Sequence, residues 1–169
     1  IYANNEDVNE IWDSLLESGS KFGIEPVGLG CRDTLRLEMK YALYGNDINS
    51  KTNPIEAGLS WITKLNKKFF IGKSAILKKK ERVGKKLVCI EMIERAIPRK
   101  ECPIYFHDKI IGKISSGTMS PSLRKGIALG YVDTYYSKPS SRIQIDIRGN
   151  LKRGVIVKPP FYKKGSLHD

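Results

Sequence analysis

The sequence predicts an α+β chain in two parts: an α+β region over residues 1–84 and a small antiparallel β-barrel over residues 85–169. Three observations lead there. Apolar residues between Val8 and Leu16 recur at helical spacing. The chain changes character near Gly84, between the lysine clusters Lys78–Lys80 and Lys85–Lys86. Beyond it, short apolar runs alternate with Gly, Pro and Asn turns, the pattern of a small barrel or, packed differently, a sandwich. The first region is expected to be incomplete. The chain opens mid-pattern at Ile1-Tyr2 without an initiator Met and reads as the C-terminal part of a longer protein.

In the first region, Asn5-Glu6-Asp7 places carboxylates where a helix begins, near the positive end of its dipole. Val8, Ile11, Trp12, Leu15 and Leu16 then form one stripe, with Gly19 as the stop, and Trp12 is expected in a core. Phe22 to Val27 is short and β-like, and Gly28-Leu29-Gly30 permits a tight turn. Arg32 to Tyr41 reads as a helix by propensity, although its apolar pattern also allows a strand. Gly45 to Asn49 is turn chemistry. Order restarts at Pro54, which suits a first helical turn. Ser60 to Leu65 alternates like a strand, and Phe69 onward leads into a helix that runs to about Gly84.

In the second region, Leu87 to Met92 is a strand. Ile104 to Phe106 and Lys109 to Ile114 pair as a hairpin about His107-Asp108. Ser115 to Pro121 reads as a polar turn whose hydroxyls satisfy backbone groups. Gly126 to Val132, Arg142 to Arg148 and Lys152 to Val157 complete the strands, with Gly149-Asn150 turning the last pair.

The formal net charge is +12, from 30 Lys+Arg against 18 Asp+Glu, so anions are the expected partners. No aromatics interleave with the lysine clusters as a single-strand stacking surface would require, which argues against nucleic acid. Cys31, Cys89 and Cys102 form no CxxC pair, and only His107 and His168 could join them, so no metal site is expected. An odd cysteine count suits a reducing compartment. No apolar run approaches the length of a membrane span.

Gly28-Leu29-Gly30 before a helix could cradle phosphate, but it is neither a P-loop nor a dinucleotide fingerprint. Arg32 offers a planar fork of donors suited to a carboxylate or a flat heteroaromatic edge. Read alone, it equally suits an internal ion pair with Asp33 or Glu38. Tyr41, Tyr44, Trp61, Phe69 and Phe70 could sandwich a flat ligand, yet alone they are better read as core. The tail Lys158-Pro159-Pro160-Phe161-Tyr162-Lys163-Lys164 is stiffened by prolines and carries two ammonium groups that could reach a carboxylate.

Taken in order, the motifs resemble the glycine-cleavage T protein family, the folate-dependent aminomethyltransferases. The resemblance rests on Gly28 to Glu38, Leu43-Tyr44-Gly45-Asn46-Asp47, Thr52 to Trp61 and Phe70 to Lys73. It continues with Ile97-Pro98-Arg99, Ser116 to Pro121, Ile127 to Val132 and Pro160-Phe161.

The resemblance implies that the aminomethyl group carried on the lipoyl arm of H protein passes its carbon to tetrahydrofolate, releasing ammonia. Residues 1–84 would then be the C-terminal portion of the folate-binding domain. Arg32 is expected to fix the pterin and Lys163 to approach the glutamate tail. Cys31 stands where family members often have Ala. The catalytic Asp and a second folate-binding acid are expected upstream, so the 169 residues alone should be inactive. The implied partners are lipoylated H protein, tetrahydrofolate and the other glycine cleavage components, with no nucleic acid and no membrane. The implied location is cytoplasmic, or mitochondrial in a eukaryote. Two alternatives remain: a non-catalytic folate-binding module, like the T-protein-like proteins of iron–sulfur assembly, and a basic nucleic-acid-binding β-barrel.

Overall fold

A computed structural model of the chain describes residues 1–164, so His168 lies outside the described residues. Two units are resolved, residues 1–33 and the chain from Thr34 onward.

In the first unit, α1 (Val8–Gly19) follows a short 3-10 turn at Asn5–Asp7 and leads into another at Ser20–Phe22. The predicted helix is present with its stop at Gly19. None of its residues is buried, however, and Trp12 is 51% exposed. A stripe at helical spacing shows which face calls for cover, not what covers it. The β-like segment from Phe22 to Val27 is no strand. Gly23 turns the chain left-handed at φ 70°, and Ile24 N–H bonds back to the Gly19 carbonyl at 3.2 Å, so the backbone closes on α1. Gly28-Leu29-Gly30 is not a tight turn either. Leu29 already begins α2 (Leu29–Glu38), which runs from the first unit into the second. The helical reading of this stretch holds against the strand.

The second unit is built on a closed antiparallel barrel in the order β1-β4-β3-β2-β5-β6. The strands are β1 (Lys85–Met92), β2 (Pro103–Phe106), β3 (Lys109–Ser120), β4 (Lys125–Asp133), β5 (Arg142–Ile147) and β6 (Asn150–Val157). Closure comes from β1 pairing with both β4 and β6, which leaves no free sheet edge. The interior holds Val88, Ile90, Ile104, Ile114, Ile145 and Ile156. Leu87, Cys89, Ile127 and Leu129 point the other way, into a second apolar layer shared with Leu37 and Phe161. Strands β1 and β4 are therefore buried on both faces, which is why they read as unbroken apolar runs.

The predicted polar turn at Ser115–Pro121 is a correction. β3 continues through Ser120, paired to β4 as far as Ser120↔Lys125, with a bulge between Ile114 and Ser116. Its hydroxyls bond residues brought in from α2 and the loop after it, so polar side chains suit a strand here. The strand-like segment Ser60–Leu65 is also corrected. It turns locally, with Thr63 N–H on the Ser60 carbonyl and Leu65 N–H on that of Thr63. Pro54 does begin a helical turn: Asn53 Oδ1 accepts the Ile55 and Glu56 amides, both at 2.9 Å, as a helix cap does. The last helix, α3 (Lys73–Glu81), stops short of Gly84, with Lys78–Lys80 in its final turn, where cations favour the dipole.

Candidate functional site

α2 carries Arg32, Arg36 and Glu38. Its first turn forms on Gly28, whose carbonyl accepts the amides of Cys31 at 3.0 Å and Arg32 at 3.4 Å. Arg32 is exposed, and its side chain makes no hydrogen bond or ion pair among the described residues. The alternative partner Glu38 is engaged elsewhere.

The end of α2 carries two buried charged residues that the sequence reading did not single out. Arg36 Nη1 lies 2.5 Å from Asp47 Oδ2, and its Nη2 donates to Ser116 Oγ at 2.9 Å. Asp47 also accepts the Leu43 amide at 2.9 Å and Ser115 Oγ–H at 2.5 Å, while the Tyr131 hydroxyl donates to its carbonyl at 2.8 Å. Burial, followed by the nearby charges of Asp47 and Glu56, pushes the Tyr131 hydroxyl up to about 12. Glu38 accepts Ser120 Oγ–H at 2.5 Å and Ser122 Oγ–H at 3.0 Å. These contacts explain the buried Ser residues of β3, and no buried side-chain polar atom among the described residues lacks a partner. The serines are tied to carboxylates and a guanidinium, which anchors β3 to α2 and the loop after it. No local signal marks Arg36 and Glu38, since charged residues beside an apolar one are ordinary on an amphipathic helix and are mostly exposed.

The backbone carbonyl of Glu38 accepts the amides of both Phe161 and Tyr162 at 3.0 Å. The C-terminal tail is thereby tied to the end of α2, and Lys163 follows as an exposed ammonium. Arg32 belongs to the first unit and Lys163 to the second.

The aromatic set departs from the core reading. Tyr41, Tyr44, Trp61 and Phe69 are all exposed, between 54% and 74%. Cys31 is exposed, whereas Cys89 is buried with its thiol pushed up to about 12 by desolvation, so it stays protonated and inert. Among the described residues no group of three or more His, Cys, Asp or Glu is placed to hold a metal, and no helix is long and apolar enough to cross a membrane.

Residues 1–67 match the family model for the GCVT N-terminal domain, and residues 85–163 that for the glycine cleavage T-protein C-terminal barrel domain. The chain belongs to the glycine cleavage T-protein family. Similar T-family proteins include an aminomethyltransferase of Flavobacterium psychrophilum, 52% identical over 165 residues, covering 97% of this chain and 46% of the relative. An aminomethyltransferase of Bacteroides fragilis is 50% identical over 167 residues, covering 96% and 46%. The crystal structure of the glycine cleavage system aminomethyltransferase T from Bartonella henselae superposes with a TM-score of 0.83 at 28% identity, covering 91% of this chain and 43% of that one. The chain thus spans about half the length of the curated relatives it matches.

Proposed function

We propose that the chain is the C-terminal portion of a tetrahydrofolate-dependent aminomethyltransferase. The intact protein would pass the aminomethyl carbon from lipoylated H protein to tetrahydrofolate and release ammonia. Residues 1–84 would be the rest of the folate-binding domain and residues 85–169 its barrel domain. The other glycine cleavage components would be its partners, in the cytoplasm or, in a eukaryote, the mitochondrion. Relatives of about half identity that carry the aminomethyltransferase name support this reading.

One observation carries the site assignment. The Arg32 guanidinium stands exposed in the first turn of α2 with no partner among the described residues, so its donors are available to a ligand. A planar fork of N–H groups matches the carbonyl and ring nitrogens along one edge of a pterin. In this reading Arg32 orients the ring, so that its N5 faces the aminomethyl carbon. Lys163, held on the tail that Glu38 anchors, meets the glutamate carboxylates. The proton-handling carboxylate would come from sequence upstream of these residues.

Tetrahydrofolate titration of the 169-residue chain and of its Arg32→Ala variant tests the assignment. The variant should bind about tenfold more weakly, the size of one charge-assisted hydrogen bond. Equal affinity removes Arg32 from the site. The chain alone should release no ammonia from aminomethyl-loaded H protein, and turnover at the rate of an intact enzyme would overturn the expected role of the upstream acid.

A further inference from the structure

A cleft of about 540 Å³ lies beside β1, lined by residues from the 55–60 turn, the segment after β4 and the end of β6. Its volume is in the range of small-molecule sites, about 300–1,000 Å³. Leu87, Val88, Ile156 and Val157 give it apolar walls. Lys40 and Lys86 line it as well, and no carboxylate does.

Lys40 is the half-buried cation of this lining. It follows α2 in the left-handed conformation, at φ 59°. Its amide bonds the Leu37 carbonyl at 2.9 Å, and the next amide, of Tyr41, bonds that of Arg36 at 2.7 Å, which closes the helix. Glycine is the usual residue at such a closure because a Cβ is crowded there. The lysine is therefore held against its own backbone preference.

The ammonium of Lys40 lies against Gly58, 2.8 Å from where a Cβ would stand. Lys40 is half-buried, and its ammonium has no hydrogen bond or ion pair among the described residues. A cation beside an apolar cleft and without a counter-charge there favours an anion with an apolar body.

We propose that this cleft binds an organic carboxylate, with the carboxylate on Lys40, Lys86 at the mouth, and an alkyl or aryl body against β1 and β6. Binding there does not depend on aminomethyl transfer.

Octanoate is a suitable probe and 1-octanol its uncharged counterpart, both titrated calorimetrically into the full 169-residue chain. Octanoate should bind at least about tenfold more tightly than octanol, as a charged hydrogen bond requires. Lys40→Gly separates binding from folding, since glycine accepts the left-handed conformation freely. The variant should keep or raise its Tm, lose about tenfold in octanoate affinity and leave octanol binding unchanged. Lys86→Gln should give a smaller loss. Adding tetrahydrofolate identifies the natural source: displacement of octanoate points to the carboxylate tail of a folate, and retention to a free organic acid. Equal binding of octanoate and octanol overturns the proposal. So does undiminished octanoate binding by Lys40→Gly, or a fall in its Tm, which would make Lys40 a structural group.

Discussion

Arg36 and Asp47, eleven residues apart in sequence, meet as an ion pair at 2.5 Å with side chains 7% and 0% exposed. Asp47 simultaneously accepts the Leu43 amide and the Ser115 hydroxyl, so three donors converge on one buried carboxylate. Removing that carboxylate takes away the anion beside a buried guanidinium and the acceptor of two other donors. Asp47→Ala should therefore lower the unfolding free energy by about 3–5 kcal/mol, the usual result of breaking one half of a buried pair. Urea unfolding measures it. A double variant, Arg36→Met with Asp47→Leu, should recover only part of the loss, because it removes the unbalanced charge but leaves the Leu43 amide and the Ser115 hydroxyl without their acceptor.

Ser120 links β3 to Glu38 through a 2.5 Å hydrogen bond and also accepts the Leu123 amide at 3.0 Å. Ser120→Ala removes both and should cost about 2–3 kcal/mol, since one of them involves a charged acceptor. Ser122 lies further from the same carboxylate, at 3.0 Å, in an exposed position. Ser122→Ala should cost about 1 kcal/mol. Equal losses in urea midpoint for the two variants would contradict this ranking.

The chain should weaken in alkali. The Cys89 thiol is raised from 9.0 to about 12, chiefly by burial. The Tyr131 hydroxyl is raised from 10.0 to about 12, by burial first and then by the charges of Asp47 and Glu56. In both, the folded protein keeps a proton that the unfolded chain gives up sooner. The stability they contribute is complete below pH 9 and is lost as pH rises towards 12. Unfolding midpoints measured across that window should fall. Cys89→Ala should remove the part of the slope that sets in first, and Tyr131→Phe the part that begins near pH 10. Each comparison is between slopes, so the roughly 1 kcal/mol that Tyr131→Phe loses with its hydrogen bond to Asp47 does not affect the test.

The sequence made the barrel strands legible because their signals are local. Leu87–Met92 and Ile127–Val132 are continuous apolar runs, and Gly149-Asn150 is a strong hairpin turn. The motif from Gly28 to Glu38 was legible as the family's, within the stretch that the N-terminal family model matches. The serines that complete the Arg36–Asp47 pair and the Glu38 anchor were not, because they come from far along the chain. Ser116 and Ser120 lie 80 and 82 positions from their partners. A run of Ser, Gly and Thr looks like a turn until those partners are known, so the sequence alone ends this strand at Ile114 while β3 runs on to Ser120. The stripe on α1 and the aromatics from Tyr41 to Phe69 raised the opposite difficulty. Apolar side chains were read as core, yet in this chain they stand exposed.

Gly112 in β3 faces Val132 across the β3–β4 ladder, with no room for a side chain. A Cβ built there would lie 1.9 Å from the Tyr131 carbonyl oxygen and 2.8 Å from its carbonyl carbon. Both obstacles are backbone atoms of a paired strand, so a rotamer change cannot relieve the clash. Gly112→Ala should force β3 and β4 apart at this point and cost about 3 kcal/mol or more, the upper end of overpacking penalties. Tyr131 should register the shift, because its hydroxyl holds Asp47 from the same strand position. Gly84 provides the control. A Cβ there meets nothing within 4 Å, and Gly84→Ala should leave the urea midpoint unchanged. If both variants unfold at the parent's midpoint, β3 and β4 do not approach as closely at Gly112 as this register requires.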